Sequence, residues 1–88
     1  MKIQLKKALK AQAHHLNPVI LIGSKGLSPT VIAETDSALE THELIKIKIA
    51  DTDRENRKSI AIQLCEATSA ECIQSIGKIF VLYRLRSK

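Results

Sequence analysis

Val19-Ile20-Leu21-Ile22 is a run of four apolar residues, three of them β-branched, closed by Asn17-Pro18 in front and by Gly23-Ser24-Lys25-Gly26 behind. A run this short and this continuous reads as a β-strand covered on both faces. The residue before a proline is pushed out of the α region, so any helix upstream must end by Asn17. Downstream, Ser28 can cap free N–H groups, Pro29 suits the first helical position, and Leu27 can pack on Ile32 as a hydrophobic staple. A strand held between two helical segments can join a sheet only through crossovers, and an 88-residue chain has room for one core.

The remaining patterns fit that frame. On a 3.6-residue period, Leu5, Ala8, Leu9, Gln12 and Leu16 fall on one side of a first helix, and Lys6, Lys7, Lys10 and His14 on the other. The second helix has an inward stripe of Val31, Thr35, Ala38, Leu39 and His42. Residues 44–50 alternate, with Ile45, Ile47 and Ile49 on one face and Lys46 and Lys48 on a wetter one. Thr52-Asp53-Arg54-Glu55 matches a capping box opening a third helix, whose stripe is Ile60, Ala61, Leu64, Ala67 and Thr68 and which stops near Ser69. Residues 71–76 and 79–84 are strand-like and joined by Gly77-Lys78, a two-residue hairpin turn. The expected fold is a two-layer α/β sandwich of order α-β-α-β-α-β-β. Its four-stranded mixed sheet has helix-linked strands parallel and the last pair antiparallel.

Charge narrows the function classes. Fourteen Lys and Arg against nine Asp and Glu give a net charge of +5, yet Tyr83 and Phe80 are the only aromatic residues. Basic charge without stacking surface points to phosphate backbones rather than to splayed bases. All nine acids lie between residues 34 and 71; the segments on either side are purely basic. If folding joins the two basic ends, one positive face results. No apolar run approaches the ~18 residues of a spanning helix, and the lysine-rich start lacks the apolar core of a secretory signal, so it is expected to belong to the fold. Cys65 and Cys72 form no CxxC pair and are expected to be small buried hydrophobes of a reducing, cytoplasmic compartment.

The loop 23–26 is the best candidate for chemistry. Lying between a strand and a capped helix, its backbone N–H groups and the helix dipole face one spot, an anion site to which Lys25 adds a mobile charge. A GxxG turn is how KH modules clamp a nucleic-acid backbone. Neither GxxxxGKS/T nor GxGxxG occurs, which argues against a nucleotide cofactor, and no His, Cys or Asp set has metal-ligand spacing. His14, His15 and His42 beside basic charge could in principle cleave RNA by acid–base chemistry. However, His14 and His15 diverge by about 100° on a helix, and structural or surface roles are favoured.

The residues Leu9-Lys10, Ala13-His14, Leu16, Pro18-Val19, Ile22-Gly23-Ser24-Lys25-Gly26-Leu27, Glu40 and the stretch from His42 to Ile49 together resemble the CRM domain, in particular the small bacterial YhbY proteins made of one such domain. Ile76-Gly77-Lys78 and Val81-Leu82-Tyr83-Arg84 resemble that family's last hairpin. The resemblance implies a fold similar to the C-terminal domain of translation initiation factor three, and RNA binding in association with precursors of the large ribosomal subunit. It departs at Ser69, where the family usually has glycine, and in the short tail after Arg84.

The expectation is therefore a single RNA-binding domain over residues 1–88, cytoplasmic, monomeric and non-enzymatic, with no cofactor or metal. Gly23, Ser24, Lys25 and Gly26 would hold rRNA phosphates, flanked by Lys6, Lys7, Lys10, His14, Arg84 and Arg86. Two other functions fit the residues: a metal-independent ribonuclease using His14 or His42, and a module that docks an acidic protein.

Overall fold

A computed structural model describes residues 3–23 and 25–85. The elements run α1 (Ile3–Ala13), β1 (Pro18–Ile22), α2 (Pro29–His42), β2 (Leu44–Ile49), α3 (Arg54–Thr68), β3 (Glu71–Ile76) and β4 (Ile79–Tyr83), the order expected. The sheet order is β1-β2-β4-β3. β1 lies parallel to β2, and β4 inserts between β2 and β3, antiparallel to both. The β2–β3 connection therefore crosses over β4, and α3 rides on that crossover.

Each helix start and stop has a local cause. Ser28 caps α2, its hydroxyl accepting from the Val31 N–H at 3.2 Å, and Pro29 opens the helix. The cap of α3 is Asp53, one residue later than the capping box places it. Its carboxylate accepts from the Glu55 N–H at 3.0 Å, and Asp51 accepts from the Asp53 N–H at 2.8 Å. A carboxylate on an Asx turn outcompetes the Thr52 hydroxyl for those donors. Both later helices end on a residue with positive φ, Glu43 at 63° and Ser69 at 57°.

α2 and α3 pack on one face of the sheet, making the two-layer sandwich. Their joint core includes Ile22, Leu39, Ile45, Ile47, Ile49, Leu64 and Leu82, each at most 2% exposed. α1 lies on the opposite face, where Leu9 and Ala13 pack with Leu44, Ile73 and Val81 in a second, smaller cluster. One short helix cannot cover four strands, and this produces the main departure from the expected burial. Val19 is 53% and Leu21 68% exposed, so β1 is an edge strand buried on one face only. The inward stripes also shift. Ala13 replaces Leu5, Ala8 and Gln12 in the α1 contact, while His42 and Ala67 face solvent. Two threonines are buried in the helix layer, Thr35 and Thr68. Each hydroxyl donates to the carbonyl four residues back at 2.8 Å, so neither polar group is left unsatisfied.

Ser69 holds a left-handed cap (φ 57°, ψ 33°), and its N–H donates to the Cys65 carbonyl. A side chain there carries steric strain that glycine lacks. Ser69→Gly is expected to stabilise the fold by about 0.5–1 kcal/mol, read as a higher urea midpoint at unchanged m-value. A fall in the midpoint would show that the serine contributes more than the strain costs.

Candidate nucleic-acid interface

The loop 23–26 closes on itself. The Gly26 N–H donates to the Gly23 carbonyl at 3.1 Å, and Gly26 has φ +81°, a conformation that favours glycine. A Cβ on Gly26 would stand 3.8 Å from Ile60 Cδ1, so the loop lies against the first turns of α3. Gly23 is exposed, with open space where a side chain would be. Lys25 is exposed, while Ser24 lies outside the described residues.

Two hydrogen bonds define what surrounds the loop. The Ala50 N–H donates to the Ile22 carbonyl at 2.8 Å, and the Ile49 N–H donates to the Lys78 carbonyl at 2.9 Å. The loop 23–26, the segment 50–53 and the turn 77–78 therefore meet at one rim of the sheet. Lys78 comes from the turn, and Arg54, Arg57 and Lys58 come from α3, where they line a cleft of about 620 Å³ together with Glu55, Ser75 and Gly77. Besides Glu55 in the cleft, Asp51 and Asp53 stand at this rim. Asp53 is engaged as the α3 cap, and Asp51 accepts from the Asp53 N–H and from the Asn56 side chain. Those two hydrogen bonds, the backbone one first, hold the Asp51 carboxyl below the ordinary carboxylate range.

The residues expected to flank the loop are not all near it. Lys6, Lys7 and His14 are exposed and Lys10 is half-buried along α1, on the other face of the sheet from α2 and α3. His14 lines a cleft with Lys46, Gln74, Ile76 and Ile79. Between α1 and the loop rim lie Lys46 and Lys48, the outward residues of β2, which join the two basic regions. Neither they nor Lys25 comes within ion-pairing distance of a carboxylate among the described residues. The acids of α2 and α3 occupy the opposite layer; Glu71, at the start of β3, shares the α1 face but at its far end.

Arg84 is the correction. β4 runs antiparallel to β2, so its last residues lie at the rim away from the loop, where the Arg84 N–H donates to the Glu43 carbonyl at 2.9 Å. One guanidinium nitrogen, Nη1, donates to Asp36 Oδ1 at 2.5 Å and to the Thr68 carbonyl at 2.8 Å. The other, Nη2, donates to Glu40 Oε1 and to the Asp36 carbonyl, both at 3.1 Å. With its side chain only 15% exposed and flanked by two carboxylates, Arg84 ties β4 to α2 and α3. It is not available to a phosphate. Arg86 lies outside the described residues.

Lys46, Lys48, Arg54, Lys58 and Lys78 join the candidate surface although their segments do not mark them as site residues. The first four sit in the acid-rich middle, where net charge per segment hides which face each base takes; the Lys-x-Lys alternation of β2 was the available signal. His42 shares a cleft with Gln12, His15 and Asn17, apart from the cleft of His14. No group of three or more His, Cys, Asp and Glu among the described residues could hold a metal ion. Burial, with smaller contributions from Cys72 and Glu71, raises the Cys65 thiol to about 11, so it stays protonated and weakly nucleophilic at neutral pH. Cys72, expected to be buried, is exposed on the edge strand β3.

These features define a small α/β domain with a basic sheet face that runs to a glycine-bounded loop at a helix start. The chain belongs to the CRS1 / YhbY (CRM) domain family, whose sequence profile matches residues 1–84. It is 49% identical over 79 residues to an RNA-binding protein of Haemophilus influenzae, covering 90% of this chain and 80% of that one. A Pseudomonas aeruginosa protein named as a probable RNA-binding protein is 41% identical over 83 residues, covering 94% and 80% respectively. The fold is similar to the solution structure of a Staphylococcus aureus hypothetical protein described as a candidate RNA-binding protein. The TM-score is 0.86 at 33% identity, with 100% of this chain and 92% of that one covered. No described helix is long and apolar enough to cross a membrane.

Arg84→Ala is expected to lower stability by about 1–3 kcal/mol, through lost hydrogen bonds and ion pairs at a partly exposed site. RNA affinity should stay within twofold of the wild type. A large affinity loss in a variant that remains fully folded would return Arg84 to the binding surface.

Proposed function

We propose that the protein binds structured RNA of the large ribosomal subunit during its assembly, as a single non-enzymatic domain acting in the cytoplasm as a monomer. The observation that carries this reading is the segregation of charge. The acids of α2 and α3 lie on one side of the sheet, with Arg54, Arg57 and Lys58 at the start of α3, and on the other side lysines with no ion-pair partner among the described residues lead to the loop 23–26. The names of the relatives support an RNA partner. In this reading Gly23 and Gly26 shape the turn, Ser24 and loop amides donate to phosphate oxygens, and Lys25 supplies local charge. Lys46, Lys48 and Lys78 continue the surface towards Lys10 and His14, with Lys6 and Lys7 at its outer end, and Arg86 would extend it from the tail. Arg84 is left out.

Binding through phosphates makes affinity depend on salt, because each neutralised phosphate releases counterions. Lys25→Glu is expected to weaken binding to every RNA about tenfold and to lower the log–log salt slope by about 1. Fluorescence anisotropy across a salt series measures both, and an unchanged slope would overturn the role of the loop. The ribosomal role is tested separately by sucrose-gradient sedimentation of cell lysate. RNase-sensitive co-migration with large-subunit precursors is expected, and free migration would overturn it.

A further inference from the structure

The sheet face beside α1 carries more than charge. Across all four strands, the pairings Leu21 with Lys48, Lys48 with Ile79 and Ile79 with Ile76 place these side chains in one transverse row nearest the loop rim. They share a face, because their chain neighbours Ile20, Ile22, Ile47, Ile49 and Phe80 all point into the core under α2 and α3. α1 covers this row only in part: Leu21 is 68% and Ile76 61% exposed, Val19, one step back on β1, is 53% exposed, and Ile79 is half-buried. Strand spacing makes the row about 14 Å wide. Lys46 pairs with Val81 and Val81 with Gln74 in the next row, and together with Ile76 and Ile79 they line a cleft of about 210 Å³ under His14.

We propose that this row is a platform for the bases of unpaired RNA, so that the protein prefers single-stranded segments next to the phosphates held at the loop. The inference rests on the RNA-binding reading above and adds a base-contacting surface to it. Isolated exposed leucines need no explanation, but two aliphatic patches on one face, Val19 with Leu21 and Ile79 with Ile76, parted only by the stem of Lys48, mark an interaction surface. Charge complementarity selects the occupant. Lys48 lies within the row, Lys46 behind it and Lys78 at its rim; Glu71 lies at the far end of this face, and Asp51 and Asp53 at the rim are engaged in the hydrogen bonds that start α3. A partner here must be anionic and must also offer flat apolar surface. Unstacked nucleobases on a phosphate chain do both, whereas in an A-form duplex those base faces are hidden. Lysine stems can lie along the aliphatic surface while their ammonium groups reach phosphates. With no aromatic side chain on the strip, contact would be by apolar packing, which tolerates any base.

The test uses the full chain and three RNA probes: an unpaired 12-mer, the same 12-mer with abasic sites at its centre, and a duplex of equal length. Wild-type protein is expected to bind the unpaired probe about tenfold tighter than the abasic one. Leu21→Thr/Ile76→Thr, which alters only exposed positions, should remove that preference while leaving duplex binding and the salt slope unchanged. Equal affinity of wild type for intact and abasic probes would overturn the platform without needing any variant. So would a double variant that keeps the preference. Failure of wild type to bind any of the three would instead sink the underlying RNA-binding reading. A self-association abolished by the double variant, with no base preference, would assign the face to a second copy and overturn the proposal.

Discussion

The structure depends on β2. Among the described residues it is the only strand paired with both kinds of partner, parallel to β1 through the α2 crossover and antiparallel to β4, the second strand of the closing hairpin. Its two faces differ completely. Ile45, Ile47 and Ile49 are nearly inaccessible beneath α2 and α3, while Lys46 and Lys48 project on the side that α1 only partly covers. Burying such side chains stabilises by about 1.5–3 kcal/mol each, and a one-residue slip would place both lysines in the core. The register that builds the core is therefore the register that displays the lysines. Fold and candidate site are consequences of one alternation.

The rims of the sheet divide the remaining roles. At one, the ends of β1 and β2 and the β3–β4 turn bring together loop 23–26, the start of α3 and Lys78. At the other, Arg84 crosslinks β4 to the acidic helix layer through Asp36, Glu40 and the Thr68 carbonyl. Arg84 there neutralises carboxylates of its own fold. Asp36 and Glu40, two acids of the middle segment, thus have a structural use.

Much of this was legible in the residues. The order of elements, the start of α2 at Ser28-Pro29, the stop of α3 at Ser69 and the alternation of β2 are local signals, set by capping, proline geometry and side-chain period. The readings that failed each needed knowledge of a neighbour. Val19 to Ile22 resembled a strand buried on both faces, but α1 packs over β2, β4 and β3 and leaves β1 uncovered. Arg84 resembled part of a positive patch, but the antiparallel course of β4 carries it to the acidic rim. Thr52 lost the cap of α3 to Asp53 because Asp51 organises the turn before it.

The sequence alone determined the inventory: which segments are helices and strands, that the family is the CRS1 / YhbY (CRM) domain, and that the loop 23–26 lies between a strand and a helix. Hydrophobic period and turn chemistry act within a few residues, so they can be read in one dimension. Tertiary structure alone decided the partners of the charges. Lys48 stands between Leu21 and Ile79, while Arg84 stands between Asp36 and Glu40. Electrostatic and apolar surfaces depend on distances between strands far apart in the chain, and those distances exist only once the sheet has its order and register.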